Sequence, residues 1–168
     1  MSVAEPLHTP LSLRAATPDD AALILALTLA AYEEYRGRLV PPSGVFEETL
    51  AEVESAIALG GAVVASRDGA ACGCGRYEVA SDGSHLYFDR LAVPPPFRRS
   101  SVASAIVRWF EARAAELGLP EVRLGVRLAL PGNIALYRGL GYAIDGYEDR
   151  PDYGRVAAWM RKRLPGPV

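Results

Sequence analysis

The sequence predicts a single α+β domain, in which helices flank a mixed, mainly antiparallel sheet. The chain has 168 residues, and 50% of them are apolar, enough for one substantial core. Apolar residues recur at helical spacing on both sides of a central block of extended sequence. Turn residues divide that block into three segments, which is typical of an antiparallel meander.

The first elements are a strand and two helices. Residues 11–15 alternate as a short strand, and residues 17–20 supply a capping threonine, a first-turn proline and two acids that favour a helix start. The next stretch predicts one apolar helix face that ends before Gly37. Its members are Leu23, Leu27, Ala31 and Tyr35. A second helical pattern covers residues 45–59.

The three strands of the meander follow at residues 62–66, 70–79 and 85–93. Turns at Asp68-Gly69 and Asp82-Gly83 separate them. Three consecutive prolines at 94–96 end the last strand, because proline lacks the N–H group that a sheet ladder needs. Residues 97–103 are therefore placed at the C-terminal end of that strand.

A long helix begins within residues 97–103 and ends near Gly118 and Pro120. Spacings of three and four residues predict its apolar face, made of Val102, Ile106, Trp109 or Phe110, Arg113 and Leu117. The remaining elements are a short helix at residues 133–138 and strands at 122–128, 142–147 and 156–163. We expect loose tails at residues 1–10 and 165–168, with the folded domain at 11–164.

Composition excludes several classes of protein. The 18 basic and 20 acidic side chains give a net charge of −2, which disfavours a general nucleic-acid binder. No stretch has the roughly 20 apolar residues of a membrane span, and no secretory signal starts the chain, so we expect a cytoplasmic protein without membrane association. In an extended segment Cys72 and Cys74 point the same way, so a disulfide between them would be badly strained. The sequence shows no further ligands at a spacing that would form a metal site with them. We expect buried thiols.

The most informative stretch is the junction at residues 91–103, where a strand leads into a helix N-terminus. Such a junction collects unpaired N–H groups and the positive end of the helix dipole, which favours a phosphate or pyrophosphate. Arg98 and Arg99 add positive charge, and Ser100 and Ser101 add hydroxyl donors. From these residues alone, a serine cap with solvated arginines is an equally acceptable interpretation.

Residues 98–103, Arg-Arg-Ser-Ser-Val-Ala, resemble the motif Gln/Arg-x-x-Gly-x-Gly/Ala of the GNAT superfamily of N-acetyltransferases. Ser101 stands where the family has glycine, so its side chain either crowds the pyrophosphate or donates to it. The resemblance covers about residues 13–164, through the order of elements, Asp89-Arg90-Leu91-Ala92-Val93 before the loop, and a second motif. It implies a single GNAT-like domain with a six- to seven-stranded sheet and about four helices.

The resemblance also implies acetyl-CoA as the donor substrate, and no metal. Amides of the loop and the helix start would bind its pyrophosphate, and the strand before the loop, splayed at a bulge, would pair with the pantetheine. The implied cofactor-binding residues are Leu91, Val93, Arg98, Arg99, Ser100, Ser101, Val102, Ala103, Asn133 and Tyr137. Leu91 and Val93 can also pack in the core, because packing uses their side chains whereas the contact with pantetheine would use their backbone.

The second motif lies at residues 131–142 and is similar to the family's short helix followed by Leu-Gly-Phe, with Tyr142 at the aromatic position. Tyr137 then falls on the family's tyrosine, where a phenol beside the sulfur supplies a proton to the departing thiolate. A buried core tyrosine is the alternative. Asn133 lies one turn earlier on the same helix face, with a helix N-cap as its alternative role.

The catalytic base is assigned to Asp89. Alternation places His85, Tyr87, Asp89 and Leu91 on one face of the strand that ends at the loop. An unperturbed aspartate, with a pKa of about 3.9, is a poor base at neutral pH, so burial or a water chain is needed. A salt bridge to a nearby arginine is the alternative, and Glu78 and His85 rank below Asp89.

The family resemblance places acceptor specificity in two loops, here residues 35–46 and 147–153. The second loop mixes acids with tyrosines, which suits a cationic or aromatic amine or an ordinary solvated turn. Its relevant members are Tyr147, Glu148, Asp149, Asp152 and Tyr153.

The predicted activity is direct transfer to a primary amine of a small molecule or peptide. The alternative is a non-catalytic binding or regulatory domain of the same fold. A homodimer is possible, with the C-terminal strand at residues 156–163 contributing an edge.

Overall fold

The computed structural model describes residues 9–166, so residues 1–8 and 167–168 of the two predicted tails lie outside it. One seven-stranded sheet has the order β1-β2-β3-β4-β5-β7-β6. Every neighbouring pair is antiparallel except β4 and β5, which are parallel. The strands are β1 Ser12–Ala15, β2 Gly61–Arg67, β3 Ala70–Val79, β4 Leu86–Ala92, β5 Glu121–Arg127, β6 Ala143–Arg150 and β7 Gly154–Arg163.

Four α-helices and four short 3-10 turns complete the fold. The helices are α1 Ala21–Tyr32, α2 Leu50–Leu59, α3 Val102–Glu116 and α4 Pro131–Gly139. The 3-10 turns are Pro18–Asp20, Glu33–Tyr35, Gly44–Glu47 and Pro95–Phe97. The predicted α+β class, with a mixed, mainly antiparallel sheet and flanking helices, is confirmed.

The core has two layers, one on each face of the sheet. Phe88, Ile106 and Phe110 belong to the layer beneath α3, and Ile24 and Val53 belong to the layer beneath α1 and α2. Phe88 and Phe110 stack with ring centroids 5.0 Å apart. Burial of such side chains stabilises the fold by about 25 cal/mol per Å² of apolar surface.

Both cysteines are buried and free, as predicted, but they do not point the same way. Ala65 pairs with Gly73 while Ser66 pairs with Ala71, so a bulge at Cys72 interrupts the alternation of β3. Cys72 packs in the layer under α3, and Cys74 packs in the layer under α1. The two thiols therefore lie on opposite faces of the sheet.

The single helix expected at residues 45–59 is instead a 3-10 turn followed by α2. Thr49 interrupts it because it caps α2: its Oγ1 accepts from Glu52 N at 3.3 Å, and its own N donates to the Glu52 carboxylate at 2.7 Å. The extended residue before this cap, Glu48, turns towards the sheet and binds Arg76 at 2.6 Å.

The predicted faces of α1 and α3 need correction at their ends. In α1 the buried residues include Ile24 and Thr28, whereas Leu23 is 38% exposed. In α3 the buried face continues through Phe110 and Ala114, and not through Arg113 and Leu117. A strict four-residue spacing drifts by about 40° at each step of a helix with 3.6 residues per turn, which explains the error in α1. In α3 the error begins with the step to Arg113, and Leu117 lies just past the last helical residue, Glu116.

The parallel pair β4 and β5 separates after three residues. Pairing joins Leu86–Phe88 to Val122–Leu124 and goes no further, so a cleft opens beyond Phe88. A bulge at Arg90, whose φ is +51°, places Asp89 opposite Arg76 but Ala92 opposite Cys74. Leu91 consequently packs towards the layer under α3, and the prediction that Asp89 and Leu91 share a face is wrong.

The far end of the sheet also differs from expectation. The C-terminal strand β7 lies between β5 and β6 and has a partner on each side. It therefore cannot supply a sheet edge, and β6 forms the edge instead.

Candidate active site

Two cavities lie where β4 and β5 separate. We call the first the loop cavity, because the residues between β4 and α3 line it, and its volume is about 520 Å³. The second, the sheet cavity, has a volume of about 280 Å³ and a floor formed by β4, β5 and β7. The residues that line both are Tyr32, Leu91, Leu130, Asn133 and Tyr137. The two cavities therefore meet at these side chains.

The N-terminus of α3 opens onto the loop cavity. Arg99 and Ser101 both have left-handed backbones, with φ of +60° and +64°. Ser101 occupies the N-cap position, as the alternative interpretation has it, but its side chain makes no capping hydrogen bond. The first amide of α3 with a backbone partner is that of Ala105, 3.1 Å from Ser101 O. The preceding amides, those of Val102, Ala103 and Ser104, have no backbone acceptor among residues 9–166 and can donate to an anion.

The side chains of the loop contribute less than the sequence suggests. Arg98 donates to Val93 O and to Ala31 O at 2.9 Å each and pairs with Glu34, so its guanidinium ties the loop to α1. Ser100 donates to Phe97 O and does not line the cavity.

Arg99 is exposed and lines the loop cavity, and its guanidinium forms no ion pair within residues 9–166.

Leu91 and Val93 line the loop cavity from the end of β4. Because no residue beyond Phe88 pairs with β5, the β4 backbone after Phe88 presents an edge without a neighbouring strand, where Leu91 O accepts only a long hydrogen bond of 3.5 Å from the Tyr32 hydroxyl. An extended ligand with amide groups can add to such an edge as a strand would. The side chains of Leu91 and Val93 pack on the core at the same time.

Tyr137 stands at the junction of the cavities. Its ring packs against Phe88 and Tyr142 at centroid distances of 6.0 and 6.3 Å, and the residue is only 7% exposed. Burial, followed by the nearby phenols of Tyr32 and Tyr87, raises the pKa of Tyr137 well above its ordinary value. Its hydroxyl has no hydrogen-bond partner within residues 9–166. Tyr137 is thus both a core residue and a protonated phenol facing the cavities.

Asn133 does not cap α4, because Leu130 occupies the N-cap position and the helix starts at Pro131. The alternative role predicted for Asn133, that of a helix N-cap, is therefore wrong. Its side chain is half-buried and lines both cavities, one turn before Tyr137.

Asp89 lines the sheet cavity, which leaves its side chain accessible on that side while protein surrounds the rest. Burial raises the pKa of Asp89, against the lowering influence of Arg76 and Arg90. The alternative for Asp89, a salt bridge to a nearby arginine, is not formed among residues 9–166. Glu48 binds both guanidinium groups instead, Arg76 at 2.6 Å and Arg90 at 3.5 Å. Asp89 is consequently a carboxylate in the cavity with no ion-pair partner among residues 9–166.

The lower-ranked bases lie outside both cavities. Glu78 is exposed on β3, and His85 has its Nδ1 2.8 Å from Ser84 Oγ. Burial lowers the pKa of His85 below its usual value.

Several residues of the sheet cavity escape sequence analysis. Leu39 and Ser43 come from the expected loop at residues 35–46, but in the second loop only Glu148 and the unforeseen Arg150 line the cavity. Asp149 pairs with Arg155 at 3.1 Å instead. The other unforeseen residues include Tyr32, Gly125, Arg127 and Trp159. No local signal marks them, because pairing between strands distant in sequence brings them together.

Two general features of residues 9–166 complete the description. No helix in this range has the length and apolar character to cross a membrane. No three histidine, cysteine, aspartate or glutamate side chains in it are grouped as metal ligands.

Comparison with solved structures supports the fold. Ard1 from Thermoplasma volcanium is 21% identical with a TM-score of 0.75, over 92% of this chain and 98% of that one. PaiA N-acetyltransferase from Thermoplasma acidophilum, in complex with coenzyme A, is 15% identical with a TM-score of 0.74, over 92% and 99%. The ribosomal-protein-S18-alanine N-acetyltransferase from Escherichia coli is 16% identical with a TM-score of 0.70, over 95% and 97%.

No curated protein matches the sequence significantly. A family model does match: that of the acetyltransferase (GNAT) family aligns with residues 26–142. This range runs from α1 through the loop before α3 to the end of the second motif, and it includes Asp89, Ser101 and Tyr137. With more than half of its residues in that match, the chain belongs to the GNAT acetyltransferase family.

Proposed function

We propose that the protein is an N-acetyltransferase that transfers the acetyl group of acetyl-CoA directly to a primary amine. The observation that carries this proposal is the meeting of two cavities at Tyr137. One cavity offers free helix amides and a strand edge, and the other offers the carboxylate of Asp89. A thioester at the junction would lie between a proton donor and a base.

The loop cavity fits the donor substrate. The amides of Val102, Ala103 and Ser104, with the positive charge of Arg99, would bind the pyrophosphate. The open edge of β4 at Leu91 would pair with the pantetheine. A coenzyme A complex of a structural neighbour supports the use of this fold for such a ligand. The bound thioester supplies the acyl group.

The residues at the junction account for the proton balance. The amine nitrogen forms a bond to the acetyl carbon, the carbon–sulfur bond breaks, and the electron pair leaves with sulfur. Asp89 accepts the proton that the ammonium loses before the attack, directly or through water, and later releases it to solvent. Tyr137 donates its proton to the sulfur and regains one from the nitrogen of the tetrahedral intermediate. The raised pKa of Tyr137 keeps the phenol protonated, and the raised pKa of Asp89 makes it a better base than a solvated aspartate.

Direct transfer is favoured over an acyl-enzyme because neither cysteine is placed as a nucleophile. Cys72 and Cys74 are buried and line neither cavity. Burial raises the pKa of the Cys74 thiol to about 11, which disfavours the reactive thiolate.

A second candidate is a non-catalytic binding domain with weakened cofactor binding, and Ser101 is the observation that favours it. Its left-handed backbone carries a Cβ where glycine would be unstrained. The side chain lines the same cavity that would hold the pyrophosphate.

The test is calorimetric titration of the purified protein with acetyl-CoA, CoA and ATP, followed by thiol-release assays with a panel of amines. We expect micromolar binding of acetyl-CoA and CoA, weak or no binding of ATP, and turnover with at least one amine. Binding without turnover across the panel would favour the second candidate. Absence of acetyl-CoA binding at millimolar concentration would contradict the transferase proposal.

A further inference from the structure

We propose that the acceptor is a free amino acid with an apolar side chain, whose carboxylate is bound by Arg127 and Arg150 in the sheet cavity. This inference rests on the proposed function and narrows its substrate class. It comes from the charges and the shape of that cavity.

Arg127 is a half-buried cation without an acidic partner. It is the last residue of β5, and its Nη2 donates to Pro41 O at 2.7 Å and to Pro42 O at 3.2 Å. These carbonyls satisfy one nitrogen, and no carboxylate lies within ion-pair distance of the guanidinium among residues 9–166. Burial and the nearby charge of Arg150 lower the pKa of Arg127. An anion in the cavity would relieve this unfavourable arrangement.

Two charges of the cavity have no ion-pair partner among residues 9–166, and they are of opposite sign. Three arginines line the cavity, Arg90, Arg127 and Arg150, together with two carboxylates, Asp89 and Glu148. Arg150 Nε pairs with Glu148 at 2.9 Å, and Arg90 Nε pairs with Glu48, outside the cavity, at 3.5 Å. Asp89 and Arg127 remain, and their charges match the ammonium and the carboxylate of a zwitterion.

The arrangement suits a substrate with both an ammonium and a carboxylate. Asp89 and Arg127 reach the same cavity from β4 and β5, after these strands have separated. The carboxylate of Asp89 attracts the ammonium and then accepts its proton. The planar guanidinium of Arg127 matches the two oxygens of a carboxylate.

Most of the other lining residues are aliphatic or aromatic. Among them, Trp159 and Tyr87 lie beside Gly125, which keeps the space next to these two side chains open. A Cβ at Gly125 would lie 2.6 Å from the Trp159 ring and 3.1 Å from the Tyr87 hydroxyl. A volume of about 280 Å³ is small for a ligand site. It suits a single amino acid with an aliphatic or aromatic side chain.

The experiment compares matched acceptors that differ only at the carboxylate. Leucine is paired with leucinamide and 3-methylbutylamine, and phenylalanine with 2-phenylethylamine, using thiol release from acetyl-CoA to measure kcat/KM. We expect each amino acid to exceed its decarboxylated partner by roughly tenfold or more, because the site's guanidinium is left unpaired by the amine. Leucinamide, which keeps the size but loses the charge, should behave like the amine.

Variants of the two arginines test which side chain binds the carboxylate of the acceptor. Arg127→Gln and Arg150→Gln should each lower the ratio of kcat/KM for leucine to that for 3-methylbutylamine, and Arg127→Lys should keep part of it. Arg127 also holds the loop at Pro41 and Pro42, so thermal unfolding of each variant is measured, and the ratio within one variant cancels a general loss of activity. The matched control is Arg108→Gln, an exposed α3 residue outside both cavities, which should leave the ratio unchanged.

The outcomes separate the two proposals. Equal or better turnover of the decarboxylated amines overturns the amino-acid inference and leaves the acetyltransferase proposal standing. An undiminished ratio in both Arg127→Gln and Arg150→Gln overturns the assigned binding residues. If none of these compounds is acetylated, the inference fails, whereas the acetyltransferase proposal fails only if other amines are inert too and acetyl-CoA does not bind.

Discussion

The loop cavity and the sheet cavity meet at Tyr137 but are built from different parts of the chain. The loop cavity presents backbone: the first amides of α3 and the open edge of β4. The side chain of Arg98, which lines it, is bound to the protein itself. The sheet cavity presents charged and aromatic side chains from four strands and two helices.

Under the proposed function, this difference separates a donor site built mainly from backbone from an acceptor site built mainly from side chains. Backbone amides bind the same phosphate group whatever the neighbouring side chains are, so a short motif is enough to encode them. Recognition of an acceptor needs particular side chains at particular distances, and small changes alter it. The loop cavity should therefore tolerate substitution, and the sheet cavity should not.

The largest effect is expected at the junction of the two cavities. Tyr137→Phe should lower kcat roughly 10- to 100-fold through loss of a proton donor, with little change in the acetyl-CoA Kd. Steady-state kinetics and calorimetry measure the two quantities. Tyr153→Phe, an exposed tyrosine outside both cavities, serves as the control. An unchanged kcat in Tyr137→Phe would remove this residue from the mechanism.

Next in size is the base of the sheet cavity. Asp89→Asn should lower kcat/KM about tenfold at neutral pH, because water then has to accept the proton. The wild-type rate should fall as pH drops through the raised pKa of Asp89, since the protonated acid cannot accept a proton. The pH profile of the variant should lack that limb. An identical profile in the two proteins would assign the base elsewhere.

A smaller effect should show that the sheet cavity depends on shape. Gly125→Ala places a methyl group 2.6 Å from Trp159, and we expect the acceptor KM to rise by up to about tenfold. The acetyl-CoA Kd should not change. Gly146→Ala is the matched control, because its Cβ would lie at an ordinary 3.5 Å from the same ring. Equal effects of both variants would contradict the proposed acceptor position.

The smallest effect is expected in the loop cavity. Ser101→Gly removes a Cβ from a left-handed residue and should raise the free energy of unfolding by up to about 1 kcal/mol. Acetyl-CoA binding should stay equal or become tighter. Ser104→Gly, within the first turn of α3, should instead lower stability by about 0.5–1 kcal/mol. A large loss of acetyl-CoA affinity in Ser101→Gly would show that the Ser101 hydroxyl is a ligand.

Much of the fold could be predicted because helices and strands follow from local periodicity and turn residues. The errors occur where a neighbouring element changes that periodicity. Thr49 starts α2 later than the apolar pattern suggests, and a bulge at Arg90 turns Leu91 away from Asp89. Bulges depend on the partner strand, so alternation within one strand does not reveal them.

The sequence by itself determined the α+β class, the position of the helix start after β4, and Tyr137 and Asp89 as candidates. The class and the helix start depend on neighbours within a few residues, through hydrogen bonds and backbone preferences that act locally. Tyr137 came from the resemblance to the GNAT motif, and Asp89 from alternation along the strand before the loop. Only the tertiary structure decided that Glu48 forms ion pairs with the two arginines near Asp89, Arg76 and Arg90. It also decided that β7 lies inside the sheet and that Arg127 and Trp159 line the same cavity. Those facts arise from pairing between distant strands, which no local pattern records.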